Sequence, residues 1–157
     1  MRHQNPYRGP GLVPEIYIDV YRNEEDYFYK GGVMILIDPV SCLAAAIYFE
    51  ARGEIKIGQA RVAETVLNRV ESNRYPNTIC EVVKQKHQFT FYWDGKKEMV
   101  YDQEAWLTSW DLANLALCSK INDPTICHYA DKDIENKWTV TMSKEIYGNH
   151  AFYKGGC

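Results

Sequence analysis

The chain predicts an α+β domain, helix-rich with a modest β component. Three observations carry that prediction: apolar residues recur at helical spacing in segments between Pro39 and Ser119, firm capping signals bound those segments, and short aromatic runs follow Pro124. At 157 residues it is long enough for one domain with a real core and short for two. Apolar residues make up 46% and charged residues 25%, the balance of a folded globular protein.

The first 14 residues are rich in Pro, Gly and Asn and read as an arm. Glu15 to Tyr21 alternates partly and suits a short edge strand. Val33 to Ile37 is apolar but too short to span a bilayer. We take residues 1–38 as an N-terminal arm and extension, and 39–157 as the domain. Asp38-Pro39 is a helix start, a capping carboxylate followed by proline at the first helical position. Val40, Leu43, Ala44, Ile47 and Ala51 then form an inward face, with Glu50 on its flank and Gly53 ending the helix.

A second helix is predicted over Gly58 to Ser72, with Val62, Ala63, Val66, Leu67 and Val70 inward and Arg61, Glu64 and Glu71 elsewhere around it. Thr78 and Glu81 are spaced as a capping box for a short third helix ending near Gln85. Gln88 to Trp93 is aromatic and irregular, and Asp94-Gly95 is a turn signal. Asp102 caps a fourth helix running to Ser119, with Trp106, Trp110, Ala113 and Leu117 on one face. Beyond Pro124 come turns and short segments, Ile126 to Ala130 and Trp138 to Met142. The closing run is Tyr147 to Tyr153.

Composition restricts the function classes. A formal net charge of −3 gives no case for nucleic-acid binding, which rewards a basic surface. Twelve tyrosines and four tryptophans offer flat apolar area with a polar handle, suited to a core edge, an interface or a sugar groove. Five cysteines (Cys42, Cys80, Cys118, Cys127 and Cys157) form no CxxC pair. Three fall at predicted helical positions among apolar neighbours, so reduced structural thiols are the expectation, one or two disulfides the alternative. His128 and His150 do not stand in a zinc pattern. Asp131-x-Asp133-x-Glu135 lacks the glycine and final glutamate of a calcium loop. No metal or cofactor is expected.

Glu50-Ala51-Arg52-Gly53-Glu54 places two carboxylates and an arginine at a helix end. Taken alone it reads as a polar helix terminus. Assembled with Gly58 to Ala63, Val66 to Val70, Tyr75-Pro76-Asn77-Thr78 through Val83, Gln88 to Phe91, Cys127 to Ala130, Trp138 and Ile146 to Tyr153, it resembles the catalytic domain of spore-cortex-lytic, SleB-type cell-wall hydrolases. The order and spacing match from about Pro39 to Tyr153. The resemblance implies a compact lysozyme-like fold, cleavage of the peptidoglycan glycan backbone, and Glu50 as the essential acid. Glu54 and Arg52 read as its supports.

Breaking a glycosidic bond requires a proton on the leaving oxygen, and a desolvated glutamic acid supplies one near neutral pH. Most glycosidases oppose two carboxylates, yet Asp94, Asp102, Asp131 and Asp133 show no spacing that singles one out. The likeness points instead to the single-acid route of lytic transglycosylases, with 1,6-anhydro-muramyl products. Asn68, Gln88, Phe89, Thr90 and Tyr129 are candidate groove residues. The alternatives are a hydrolytic muramidase, an amidase or endopeptidase using a metal or Cys127-His128, and a non-catalytic wall-binding or phage structural module. Expected partners are peptidoglycan strands, with no nucleic acid, no stable membrane insertion, and a monomeric state. No basic and apolar leader opens the chain. That pattern fits a phage endolysin or virion-associated lysin made in a bacterial host cytoplasm and acting on the periplasmic or outer cell wall, and equally a fragment of an exported enzyme whose export signal has been removed.

Overall fold

A computed structural model describes residues 38–85, 88, 89, 91 and 100–157. The expected arm, edge strand and Val33 to Ile37 run, and the turn at Asp94-Gly95, lie outside those residues. Helix α1 spans Pro39–Ala51, α2 Lys56–Glu71, α3 Ile79–Val83 and α4 Gln103–Cys118. Strands β1 (His128–Asp131), β2 (Lys144–Tyr147) and β3 (His150–Tyr153) follow.

The α1 start forms as its residues dictate. The Asp38 side chain accepts from Ser41 N–H at 2.9 Å, Ser41 Oγ accepts from Asp38 N–H, and Pro39 occupies the first turn. Helix α1 is the hub of the helical layer, packing chiefly on α4 and α2. Its residues from Ser41 to Tyr48 are all buried. The Tyr48 hydroxyl accepts from the N–H groups of Tyr101 and Asp102, at 3.2 and 3.1 Å, and so fixes the entry into α4. Asp102 then caps α4 through Ala105 N–H. Trp106, Trp110 and Ala113 are buried as expected, but Leu117 is exposed.

Helix α2 departs from the expected amphipathic pattern. Arg61 and Glu64, assigned outside the inward face, are both buried. They pair with each other, and Arg61 reaches Glu145 on β2 at 3.4 Å. Lys154 also binds Glu145, at 3.2 Å. The sheet covers what would otherwise be the polar face of α2, so charges there must be paired.

The sheet order is β1-β3-β2, antiparallel throughout, with Tyr129 opposite Phe152 and Tyr147 opposite His150. The β2–β3 turn needs Gly148. Its φ is +61°, and a Cβ there would collide with the Glu54 carboxylate. Tyr129, Phe152, His150 and Tyr147 gather on one face, with centroid separations of 5.5 Å for Tyr129–Phe152 and 5.3 Å for Tyr129–His150. Phe152 joins Ala51, Val62 and Ile126 in a small cluster beneath that face. Burying a ring of that size is worth roughly 1.5–3 kcal/mol.

The Trp138 to Met142 segment is a turn region instead of a regular element. The Asn136 side chain accepts from Trp138 and Thr139 N–H, each at 3.1 Å, and curls the chain locally. Strand β2 begins just beyond it.

The cysteines correct the expectation of reduced thiols. Cys42 is bridged to Cys80 and Cys127 to Cys157, with Cα atoms 5.2 and 5.1 Å apart, while Cys118 is free and exposed. Helix α3 packs on α1, and the C-terminus folds back on the segment leading into β1, where Gly156 N–H donates to the Thr125 carbonyl. Pairings that span 38 and 30 residues depend on those contacts and have no local signature.

Candidate active site

Glu50 sits in the last turn of α1, partly buried, with its carboxyl pKa raised. The cause is burial. The Tyr129 side chain and the Arg69 charge pull the other way and do not cancel it. Tyr129 is brought in from β1, and its own hydroxyl is pushed well up by burial and by Glu50. The two groups are 79 residues apart in sequence (129 − 50) and meet because β1 packs against α2.

Behind them stands Arg69, which is buried. Its Nε donates to the Cys127 carbonyl at 2.8 Å, and its guanidinium lies 5.2 Å from the Tyr75 ring and 5.6 Å from that of Phe89. Burial lowers its pKa while Tyr75, Tyr129 and Glu50 raise it. Tyr75 and His128 extend the cluster. His128 Nε2 lies 3.5 Å from the Tyr75 hydroxyl and 3.1 Å from the Gly156 carbonyl. The second contact has Nε2 carrying the proton and donating. Burial first, then Arg69, depresses the His128 pKa. Trp138 flanks that ring at 5.5 Å.

The other expected site residues are distributed unevenly. Glu54 accepts from Asn149 N–H at 2.9 Å and so ties the end of α1 to the β2–β3 turn. Arg52 is exposed, with its guanidinium 4.7 Å from the Tyr48 ring. Gln59 closes the Gly53 turn by donating to the Glu54 carbonyl at 2.8 Å. Asn68 is spent on structure: its amide donates to the Asp123 and Ile126 carbonyls at 2.9 and 2.8 Å, deep in the fold. Phe89 is fully buried, Gln88 is exposed, and Thr90 lies outside the described residues. Cys127 is oxidised, so it offers His128 no thiolate.

Sequence reasoning gave Arg69 and Tyr75 no individual part. The available signal was an arginine among the inward positions of α2, where an uncompensated cation is costly.

Fold and cluster together define the class: a small α+β domain organised around one desolvated carboxyl. The family model described as Cell Wall Hydrolase matches residues 53–153, and the chain belongs to that family. The match begins three positions after Glu50. The chain is similar to the spore cortex-lytic enzyme of Bacillus cereus, 35% identical over 122 residues that cover 73% of this chain and 44% of that protein. The corresponding enzyme of Oceanobacillus iheyensis is 34% identical, with coverage of 73% and 41%. The chain thus matches under half the length of these curated relatives. Among solved structures it resembles the catalytic domain of the germination-specific lytic transglycosylase SleB from Bacillus anthracis. The TM-score is 0.63 at 29% identity, covering 76% of this chain and 97% of the other. The catalytic domain of the Bacillus cereus SleB protein gives 0.63 at 27% identity, covering 82% and 100%. The SleB type expected from the motifs is therefore the right branch.

Proposed function

We propose that this domain cleaves the glycan backbone of peptidoglycan at N-acetylmuramic acid by a single-glutamate transglycosylase route. The observation that carries the reading is Glu50, a carboxyl raised by burial and attended by a tyrosine and an arginine, with no second carboxylate among the described groups acting on it. An acid held protonated suits donation to a leaving oxygen. Glu50 gives its proton to the glycosidic oxygen as the bond from C1 to that oxygen breaks. The muramyl 6-hydroxyl then bonds to C1, and its proton returns to Glu50. No water-activating base is required, and the product carries a 1,6-anhydro end.

Tyr129 orients the carboxyl, and exposed Gln88 is available to sugar hydroxyls. Glu54 acts at one remove by holding the hairpin against the end of α1. The name of the Bacillus anthracis structure, a lytic transglycosylase, supports the same reaction class. The test is mass analysis of purified murein digested by the domain, run beside Glu50→Gln. Fragments with anhydro ends that vanish in the variant are the expected result. Fragments one water heavier would establish hydrolysis instead, and a Glu50→Gln protein of near-native activity would remove Glu50 from the chemistry.

A further inference from the structure

Arg69 has no task in the reaction as written, although it is an expensive residue to keep. A guanidinium cannot discard its charge, and burying one without compensation costs several kcal/mol. Among the described residues no carboxylate forms an ion pair with it. It is held by the Cys127 carbonyl, by a side-chain hydrogen bond with Tyr75, and by the faces of Tyr75 and Phe89. Among the described residues, the titratable groups facing it are Glu50 from α1, Tyr75 from the loop after α2, and Tyr129 and His128 from β1. Glu50 is the only carboxyl in that set.

We propose that Arg69 is a positioning residue for Glu50: anchored by the Cys127 carbonyl and two aromatic faces, it steadies Tyr129 against the carboxyl and compensates the negative charge left when Glu50 gives up its proton. The inference rests on Glu50 being the catalytic acid. Its physical basis is a conflict within the site. The resting enzyme needs a protonated acid, whereas the transition state leaves a carboxylate in a poorly solvated place. A guanidinium in direct contact would strip the proton prematurely. No cation at all would make proton loss too costly. A fixed cation short of an ion pair meets both demands, because a preorganised charge acts without reorganising as the reaction proceeds. The aromatic faces and the Cys127 carbonyl prevent Arg69 from moving forward to form that pair.

The test compares wild type with Arg69→Gln and Arg69→Lys. Carbon NMR follows the Glu50 carboxyl, assigned through Glu50→Gln, while the pH profile of glycan cleavage is recorded. Removing the cation should raise the Glu50 midpoint by about one unit and carry the alkaline limb of the profile with it. It should lower kcat by about tenfold or more while KM stays within about twofold. Lysine keeps the charge but loses the planar fork, so it should hold the midpoint near wild type and recover part of kcat. A midpoint that stays put in Arg69→Gln overturns the inference. Should that variant not fold, a folded Arg69→Lys with a displaced midpoint does the same. The titration needs no turnover, so an inactive wild type would refute the proposed reaction and leave the coupling to be judged by the midpoint alone.

Discussion

The helical layer and the C-terminal β layer are stabilised by different means, and the site lies where they meet. Helix α1 is apolar on almost every side, and its order follows from burial and a strong cap. The three four-residue strands could not stand alone. They are held by the Cys127–Cys157 bridge, the Arg61–Glu64–Glu145–Lys154 charges, and the Glu54 contact to the hairpin. Glu50 belongs to the helical half, and its partner Tyr129 to the half that needs fastening.

The largest expected effect is on the chemistry. Glu50→Gln should reduce glycan cleavage by about 10²–10⁴-fold while leaving the fold at least as stable at neutral pH. Burial raises this carboxyl's pKa, so the stability present below the ordinary carboxylate range falls as pH rises through the folded value, a loss the amide is spared. Thermal melts of the two proteins at neutral pH check this, and a variant markedly less stable than wild type would argue for a structural Glu50.

The two disulfides separate the layers next. Closing a loop of either length stabilises by about 4 kcal/mol in the chain-entropy model. Replacing Cys127 and Cys157 by serine should cost about that much and accelerate hydrogen exchange in β1 before α1. Replacing Cys42 and Cys80 should cost a similar amount but be felt in α1 and α3. Equal exchange in both layers for both variants would mean that the molecule opens as one unit.

Gly148→Ala follows, at about 1–3 kcal/mol, because φ is positive and the new methyl would displace the Glu54 carboxylate. Denaturant melts measure the cost. Adding Glu54→Ala should recover the part that comes from the collision.

The smallest effect concerns His128. Its folded pKa lies below the ordinary value, so it contributes stability at neutral pH that is lost as pH falls from about 6.5 toward the depressed folded value. A His128→Asn protein should show a flatter melting temperature across that range. An unchanged slope would exclude His128 as the group responsible.

How much was legible follows from how local each signal is. The α1 cap, the positions of the four described helices and the Asp102 cap depend on residues within one or two turns of each other. Glu50 could be singled out because its helix was readable and because the later motifs matched a family in order. Asn68 looked like a groove residue from its place on α2. Only the fold revealed that two carbonyls, 55 and 58 residues away, occupy its amide. Arg61 and Glu64 looked solvated because the groups that pair with them, Glu145 on β2 and the Asn122 N–H, lie far down the chain.

The chain by itself determined that a helix begins at Asp38-Pro39, that it carries Glu50 on the flank of its buried face, and that the whole is helix-rich with a small β region. Helical period and capping are short-range properties, so one-dimensional order contains them. Tertiary structure decided that four of the cysteines pair, that Arg69 is buried within reach of Glu50, and that Tyr129 arrives beside Glu50. Each depends on two segments being packed together, and desolvation, which raises the Glu50 pKa, exists only once they are.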